Sequence, residues 1–213
     1  MKKWLFGLAL SLNLLNANSA CVIPSQIINF DNSLLTRTCG WVDQVDLWRS
    51  TNTQYQTIFF GDSLIANGSW GVGVGNQGYG GDTVQLLLQR VDIVVNAHPA
   101  DVYMLVGIND FWRGASASWI FSLYNGTINI LKGAGIHVTV LSTLKCNPTL
   151  QGAICTAANT KIDALNTSLA GVSGITFIDL NAQLSDANGL KTQYTTDGIH
   201  LNSAGYAVVY NLI

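Results

Sequence analysis

The chain has 213 residues, 48% of them apolar and 10% charged, with a formal net charge of −2 at pH 7. That length allows one domain with a substantial core and leaves little room for a second. The absence of a basic patch in the sequence argues against a nucleic-acid partner. All twelve acidic residues are Asp, so any catalytic carboxylate must be an aspartate, and only three histidines are available as bases.

The N-terminus has the pattern of a secretory signal peptide over residues 1–20. Two lysines precede an apolar stretch, Trp4 to Leu15, which is too short to span a bilayer, and small polar residues follow it. We therefore expect a secreted or periplasmic protein without a transmembrane span. Cleavage after this segment would leave Cys21 at the new N-terminus, so a lipoprotein anchor is the alternative. Asn18 argues against a lipoprotein, because lipoprotein signals usually have leucine at that position.

The exported chain would retain four cysteines, an even number that suggests disulfides. Local pairing would join Cys21 to Cys39 and Cys146 to Cys155. Metal binding is the alternative, but no CxxC or HxxxH spacing supports it. We therefore expect two structural disulfides and no metal site.

From residue 56 onward, short apolar runs alternate with longer segments of helical period. This pattern predicts a parallel sheet with helices on both faces, in one domain over residues 56–213. We expect residues 21–55 to form an N-terminal segment that packs on this domain, with a helix over Trp41 to Arg49. The predicted strands are 57–60, 72–75, 102–106, 137–142 and 175–179. The predicted helices are 83–96, 118–132, 156–169 and 203–213.

Ser63 stands at the end of the first predicted strand. It follows the apolar run at 57–60, and Gly61 lets the chain turn sharply as it leaves the sheet. Open α/β sheets bind ligands at the carboxyl ends of their strands, so this serine would lie in a ligand-binding crevice. A serine hydroxyl becomes a useful nucleophile when a base takes its proton.

A base and its orienting carboxylate occur near the end of the chain. Asp197 and His200 are three residues apart, so within one turn the carboxylate can reach the imidazole. With Ser63 they make a nucleophile, base and carboxylate set. Of the other histidines, His98 precedes a proline and is expected to cap a helix end, and His137 lies in a predicted strand.

Two further segments offer hydrogen-bond donors for the oxyanion that forms when a serine attacks an ester. Residues 76–83 follow the second predicted strand and open a helix, which places the amide of Gly81 near a helix N-terminus. Residues 107–110 follow the third strand and place the carboxamide of Asn109 at the same edge of the sheet.

Residues that flank these blocks are candidates for the substrate rim or for support of the loops. The rim candidates are Trp70, Phe111, Trp112 and Arg113, and core packing is the alternative for the aromatic ones. The aspartates expected to accept hydrogen bonds from loop amides are Asp62, Asp82 and Asp110.

The chain contains four blocks in order: GDSL at 61–64, NxGxGGDT at 76–83, GxND at 107–110 and DxxH at 197–200. With these blocks it resembles the SGNH, or GDSL-type, lipase and acylhydrolase superfamily. The residues of the second block are similar to those of the branch that includes platelet-activating-factor acetylhydrolase and many bacterial carbohydrate esterases.

The resemblance implies a flavodoxin-like three-layer α/β/α sandwich with a five-stranded parallel sheet. By matching motif position, it implies that Ser63, Asp197 and His200 are catalytic. It also implies an oxyanion hole made of the Ser63 and Gly81 amides and the Asn109 side chain. Neither a metal nor an organic cofactor is needed for this chemistry.

The predicted function is cleavage of small-molecule, glycan or lipid carboxylic esters through an acyl-serine intermediate. One alternative is an acyltransferase of the same fold, and another is a non-catalytic carbohydrate-binding or surface-binding module. Residues 73–78 also match GxGxxG, which could hold a dinucleotide, but no buried strand precedes them. The G-x-S-x-G elbow is absent, which argues against the other common serine-hydrolase fold.

Overall fold

The structure is a computed structural model that describes residues 39–213. Contacts divide the chain into two compact units, Met1–Gln44 and Val45–Ile213. Of the first unit, only the start of helix α1, Cys39–Thr51, is described, and this helix confirms the one predicted over Trp41 to Arg49. The predicted signal peptide and the adjoining N-terminal segment up to residue 38 lie outside the described residues.

The second unit contains a five-stranded sheet in the order β2-β1-β3-β4-β5, and all neighbouring strands are parallel. The strands are β1 Thr57–Gly61, β2 Gly75–Gly78, β3 Asp101–Leu105, β4 His137–Leu141 and β5 Thr176–Ile178. This is the flavodoxin-like order, in which the chain runs from β1 to one side and then crosses to the other. The predicted sheet is confirmed, and its topology places a crevice at the carboxyl ends of β1 and β3.

Nine further helices connect or flank these strands within the described part of the chain. They are α2 Ser63–Ala66, α3 Val84–Gln89, α4 Val91–Ala97, α5 Ile108–Trp112, α6 Ala117–Gly133, α7 Pro148–Gln151, α8 Ala153–Ala170, α9 Asn181–Leu184 and α10 Ser203–Tyr210. A short antiparallel pair, β6 Ser185–Asp186 and β7 Gly189–Leu190, and a 3₁₀ turn at Thr192–Tyr194 precede α10.

Two buried clusters show that helices cover both faces of the sheet. Ile58 and Phe60 of β1 belong to the first cluster, together with residues of α3, α4, α6 and α8. Phe59, between them, belongs to the second cluster with residues of α2, α9 and α10. Because side chains alternate between the two faces of a strand, the two clusters lie on opposite sides of the sheet. The three-layer arrangement follows from this alternation.

The predicted second strand at 72–75 is wrong by three residues, because β2 runs from Gly75 to Gly78. The prediction followed the apolar Val72, which is fully exposed in the loop before the strand. The strand itself is polar and glycine-rich, as an edge strand can be. A Cβ on Gly78 would lie 2.1 Å from the backbone nitrogen of Ala66, so α2 packs too close for any other residue.

The predicted helix at 83–96 is also wrong as a single helix, because Arg90 separates α3 from α4. Its backbone, at φ −124° and ψ 16°, is not helical. The side chain turns inward and is fully buried. The apolar stripe continues on both sides of the break, so hydrophobic periodicity alone could not reveal it.

Candidate active site

Ser63 lies where β1 ends and α2 begins. Asp62 caps this short helix, because its carboxyl Oδ1 accepts a hydrogen bond of 2.9 Å from the backbone N–H of Leu64. A Cβ on Gly61 would lie 2.0 Å from the carbonyl oxygen of Leu105, so only glycine allows β1 to leave the sheet so close to β3. Local sequence therefore presents Ser63, half-buried, at the carboxyl edge of the sheet.

The structure brings Ser63, His200 and Asp197 together across 137 residues of sequence. The Nε2 atom of His200 lies 2.9 Å from the hydroxyl oxygen of Ser63. The Nδ1 atom of His200 lies 2.6 Å from Oδ2 of Asp197. If Nδ1 carries the proton and donates it to the carboxylate, Nε2 is free to accept the hydroxyl proton.

The loop that carries this pair fixes the carboxylate from within. Oδ1 of Asp197 accepts hydrogen bonds of 2.8 Å from the backbone N–H groups of Ile199 and His200. Thr195 closes the loop, because its hydroxyl donates to the carbonyl of His200 and accepts from the N–H of Gly198. Asp197 and His200 therefore keep a fixed mutual orientation although both side chains are more than a third exposed.

These contacts also keep Asp197 ionised. Partial burial alone would raise the pKa of Asp197, but the hydrogen bonds from the His200 imidazole and from the two backbone N–H groups outweigh it. The net effect lowers the pKa of Asp197 to about 2. The residue is thus a carboxylate throughout the neutral and mildly acidic range.

Three N–H groups near Ser63 have no hydrogen-bond acceptor among residues 39–213. Two are the backbone N–H groups of Ser63 and Gly81. The third belongs to the carboxamide of Asn109. One N–H of this carboxamide donates to the carbonyl of Asp82 at 2.9 Å, and its second N–H has no acceptor in this range. Unsatisfied donors on the loops that follow β1, β2 and β3 are what an oxyanion hole requires.

Gly81 is a glycine because of its backbone and not for lack of space. Its φ of +81° lies in the left-handed region, which favours glycine. A Cβ at this position would meet nothing within 4 Å, so the surface around Gly81 is open. Its carbonyl oxygen accepts a hydrogen bond from Arg113, at 3.3 Å, which ties this loop to the segment after α5.

A buried ion pair that the sequence analysis missed supports these loops. Arg90 donates to the carboxylate of Asp82, with an Nη2 to Oδ2 distance of 2.7 Å, and both side chains are completely buried. It also donates to the carbonyls of Gly61 and Gln77, each at 3.0 Å. Its guanidinium lies over the ring of Phe60. Arg90 thereby joins the ends of β1 and β2 beside Ser63, and the only sequence signal was a charge within an apolar stripe.

The other two flanking aspartates are buried acceptors, as predicted. Burial raises the pKa of Asp62 to about 8, although the hydrogen bond from Leu64 opposes it. Burial likewise raises the pKa of Asp110 to about 7, against hydrogen bonds that include one from Val84. Asp62 is therefore mostly protonated at neutral pH, which spares the site a second buried negative charge next to Asp82.

The four rim candidates have different environments. Phe111 is 4% exposed and lies in the first core cluster, so its prediction as a rim residue is wrong. Trp70 stacks on Phe59 with 4.0 Å between ring centroids and donates its indole N–H to the carbonyl of Ile65, which indicates packing. Trp112 is partly buried against the first cluster. Arg113 donates a hydrogen bond to the carbonyl of Gly81, one of the candidate oxyanion residues.

The remaining candidates lie away from Ser63. His98 ends α4 at its C-cap, and His137 begins β4, where its ring lies 3.0 Å from the carboxylate of Asp101. Both histidines are thus near the amino ends of strands, at the opposite edge of the sheet from Ser63. Neither is placed to act as its base.

The structure contains the predicted disulfide between Cys146 and Cys155. Cys21 lies outside the described residues, so its pairing with Cys39 stays a prediction. In residues 39–213, no three His, Cys or Asp side chains gather in a way that could hold a metal ion. No helix in this same range has the length and apolar character needed to cross a membrane.

Comparison with known proteins gives one family match. The model of the GDSL-like Lipase/Acylhydrolase family matches residues 38–208. N-acylneuraminate cytidylyltransferase of Streptococcus agalactiae is 26% identical over 155 residues, which cover 71% of this chain and 36% of that enzyme. The chain thus spans little more than a third of the length of that relative.

Solved structures with the same fold include proteins named for ester hydrolysis. A Streptococcus pneumoniae protein named as a platelet activating factor has a TM-score of 0.70 and 24% identity, over 79% of this chain and 89% of its own. A Bacteroides fragilis protein named as an acylhydrolase has a TM-score of 0.70 and 24% identity, over 83% and 95%. An acetylxylan esterase from Geobacillus stearothermophilus has a TM-score of 0.59 and 17% identity, over 75% and 92%. At these identities, the likeness shows the fold.

Proposed function

Because this chain belongs to the GDSL-like lipase/acylhydrolase family, we propose that it is a serine esterase that cleaves carboxylic esters through an acyl-serine intermediate. The observation that carries the proposal is the unbroken pair of contacts from Ser63 to His200, at 2.9 Å, and from His200 to Asp197, at 2.6 Å. A nucleophile within reach of a base that a third group orients is the arrangement of nucleophilic catalysis.

In the proposed mechanism, the hydroxyl oxygen of Ser63 attacks the ester carbonyl while Nε2 of His200 takes the hydroxyl proton. His200 then returns that proton to the leaving alcohol, and an acyl group remains on Ser63. Water then attacks the acyl carbon while Nε2 of His200 takes a proton from the water. The bond between the acyl carbon and the Ser63 oxygen breaks, His200 returns the proton to that oxygen, and the acid is released. Asp197 holds the proton on Nδ1 and stabilises the imidazolium that forms in both steps.

The oxyanion of each tetrahedral intermediate is assigned to the N–H groups of Ser63, Gly81 and Asn109. Support comes from their lack of other acceptors among residues 39–213. Such donors are preorganised, since they need not leave another partner when charge develops on the substrate oxygen. The proposed chemistry uses only these protein groups.

The substrate class is proposed from the setting of the site. The side chains of His200 and Asp197 are both partly exposed, so the proposed catalytic site is accessible from solvent. One structural neighbour is named as an acetylxylan esterase. We therefore place short-chain esters, including acetyl groups on sugars, first among the small-molecule, glycan and lipid esters to be tested. Acyl transfer to a sugar or lipid instead of water is the second candidate within the same fold.

The proposal is tested by hydrolysis of p-nitrophenyl acetate and butyrate by the purified protein. Ser63→Ala should lower kcat by about 10³-fold or more. The matched control is Ser69→Ala, because Ser69 is exposed and engages Tyr210 through its backbone N–H alone. Equal activity of the two variants would overturn the assignment of Ser63, and absence of any turnover would favour a binding module. Acylated products in the presence of sugar acceptors would identify a transferase.

We also infer that the protein is exported. The support is the signal-peptide pattern at residues 1–20 and the disulfide between Cys146 and Cys155, which suits an oxidising compartment. N-terminal sequencing of protein from the periplasm or medium should find a chain that lacks the first 20 residues or so. Recovery of an uncleaved chain from the cytoplasm alone would contradict export.

A further inference from the structure

The segment from Cys146 to Cys155, which we name the disulfide segment, packs against the loop that carries Asp197 and His200. The backbone N–H of Asn147 donates to the carbonyl of Gly198 at 2.8 Å. The carboxamide Nε2 of Gln151 donates to the carbonyl of Asp197 at 2.5 Å. Two consecutive carbonyls of the Asp197 loop are therefore held by donors from one external element.

The contact is too close for a side chain at position 198. A Cβ on Gly198 would lie 2.9 Å from the Cβ of Leu150 and 3.1 Å from the Cγ of Gln151. The φ of Gly198 is +87°, in the region that favours glycine. Glycine at this position thus lets the disulfide segment lie directly on the loop between Asp197 and His200.

The disulfide segment is itself firmly anchored. The side chain of Asn147 caps α7 by accepting from the N–H groups of Thr149 and Leu150, and it donates to the carbonyl of Leu190 at 2.6 Å. The bond to Cys155 ties the start of the segment to α8. The carbonyl and N–H of Cys146 are both held by the carboxamide of Asn159. Because the disulfide segment is fixed by these contacts, it can restrain the loop that it contacts.

The Asp197 loop needs such support to align the reacting groups. Its internal hydrogen bonds orient Asp197 relative to His200, but they do not set the distance from His200 to Ser63, which lies on another element. The imidazole and carboxylate are partly exposed, so core packing does not fully restrain them. Errors of about 1 Å in the placement of reacting groups can cost on the order of 10²-fold in rate.

We propose that Gln151 is a positioning residue for the Asp197–His200 pair, and that the Cys146–Cys155 disulfide keeps Gln151 in place. Through its bond to the Asp197 carbonyl, Gln151 holds the loop so that Nε2 of His200 stays within reach of the Ser63 hydroxyl. This inference rests on the proposed esterase function for its kinetic consequences. The restraint of the loop at Asp197 and His200 by Gln151 can be measured without turnover.

The kinetic test compares Gln151→Ala and Gln151→Glu with wild type on p-nitrophenyl butyrate. Glutamate has the size of glutamine but cannot donate a hydrogen bond when ionised, so it separates the bond from packing. Both variants should lower kcat by about 5- to 20-fold and change KM by less than about twofold, because Gln151 acts on placement of the base. The matched control is Gln193→Ala, an exposed glutamine four residues before Asp197 whose side chain makes no hydrogen bond to residues 39–213.

The disulfide is tested with the double variant Cys146→Ala and Cys155→Ala, assayed well below its melting temperature. It should show the same loss in kcat with KM retained, and adding Gln151→Ala to it should cause less than the product of the two losses. Unchanged kcat in both Gln151 variants would overturn the positioning role even if the disulfide variant failed to fold. Full activity of Gln151→Glu alone would show that packing, and not the hydrogen bond, holds the loop.

A second readout does not need turnover. The Nδ1 proton of His200, held between imidazole and carboxylate, should give a downfield proton signal in wild-type NMR spectra that shifts or broadens in Gln151→Ala and not in Gln193→Ala. An identical signal in all three proteins would contradict the proposal. If wild type cleaves no ester, the proposed function fails on the kinetic assay while this spectrum still decides the role of Gln151.

Discussion

The guanidinium of Arg90 and the carboxylate of Asp82 lie 2.7 Å apart, and neither side chain is exposed to solvent. The backbone carbonyl of Asp82 accepts a hydrogen bond from the side chain of Asn109. Arg90 donates to the carbonyl of Gly61, two residues before Ser63. A single buried pair thus connects the segment of the nucleophile with the segment of the oxyanion donors. We infer that this pair holds the two loops in one arrangement.

We predict that Arg90→Met strongly destabilises the protein, because it leaves Asp82 buried without a counter-charge. Removing one partner of a buried pair costs about 3–5 kcal/mol, which for a domain of this size lowers the melting temperature by roughly 6–20 °C. Urea unfolding and calorimetry measure the change. The double variant with Asp82→Asn should recover part of the loss, since the uncompensated charge is gone.

The matched control is Arg49→Met, which breaks another arginine–aspartate pair. Arg49 binds Asp92 at 2.8 Å, but both side chains are 40% or more exposed. Exposed pairs contribute about 0–1 kcal/mol, so this variant should melt close to wild type. Equal losses of stability in the two arginine variants would contradict the role assigned to Arg90.

We predict that Asn109→Ala damages turnover more than binding. The oxyanion exists only in the transition state and the tetrahedral intermediate, so loss of one donor should lower kcat by about 10²–10³-fold and leave KM nearly unchanged. The variant also loses the bond to the Asp82 carbonyl. That bond contributes about 1 kcal/mol to stability, so the folded state should survive. A lower melting temperature with wild-type kcat would show that Asn109 only supports the loop.

The rate should fall on the acid side of neutrality. His200 must be neutral to accept the Ser63 proton, and the imidazole of model peptides titrates near ~6.5. Asp197 cannot cause this loss, because its lowered pKa of about 2 keeps it ionised well below that range. Its stabilising effect on the fold is present above about pH 4 and disappears as the pH falls towards 2. A kcat/KM profile that stays flat down to pH 4 would exclude histidine as the base.

The raised pKa of Asp62, about 8, predicts a different pH dependence for stability. The unfolded chain releases this proton near pH 4 but the folded chain holds it, so the contribution of Asp62 to stability falls as pH rises towards 8. Asp62→Asn cannot ionise and should escape this loss. The melting temperature of the variant relative to wild type should therefore rise between pH 5 and pH 8.5. A constant difference would contradict burial of a protonated carboxyl.

The GDSL, NxGxGGDT and GxND blocks located residues of the site because they lie at the carboxyl ends of β1, β2 and β3, which share one edge of the sheet. The DxxH block lies in the loop before α10, and the spacing of Asp197 and His200 located it. The periodicity of apolar residues located the long helices α6 and α8 and the central strands to within a few residues. This periodicity depends on regular burial. It fails where burial is irregular, as in the polar edge strand β2 and at Arg90, whose long side chain turns into the core.

The residues that support the Asp197 loop were also missed. Residues 147–152 and 181–195 form short elements that carry too few apolar positions to show a period. One signal was present, since asparagine followed by proline at 147–148 is a pattern of helix starts, and α7 begins there. That α7 contacts the Asp197 loop depends on tertiary packing, which no local pattern in the sequence encodes.

The most direct test of the central claim is the covalent capture of Ser63. A p-nitrophenyl alkylphosphonate leaves a stable adduct on an activated serine, and its site is found by mass spectrometry of the peptides. We predict a single adduct on Ser63, no adduct in Ser63→Ala, and labelling slowed by about 10²–10⁴-fold in His200→Ala, which lacks the base. An adduct on any other residue, or labelling of His200→Ala at the wild-type rate, would contradict the proposed nucleophile and base.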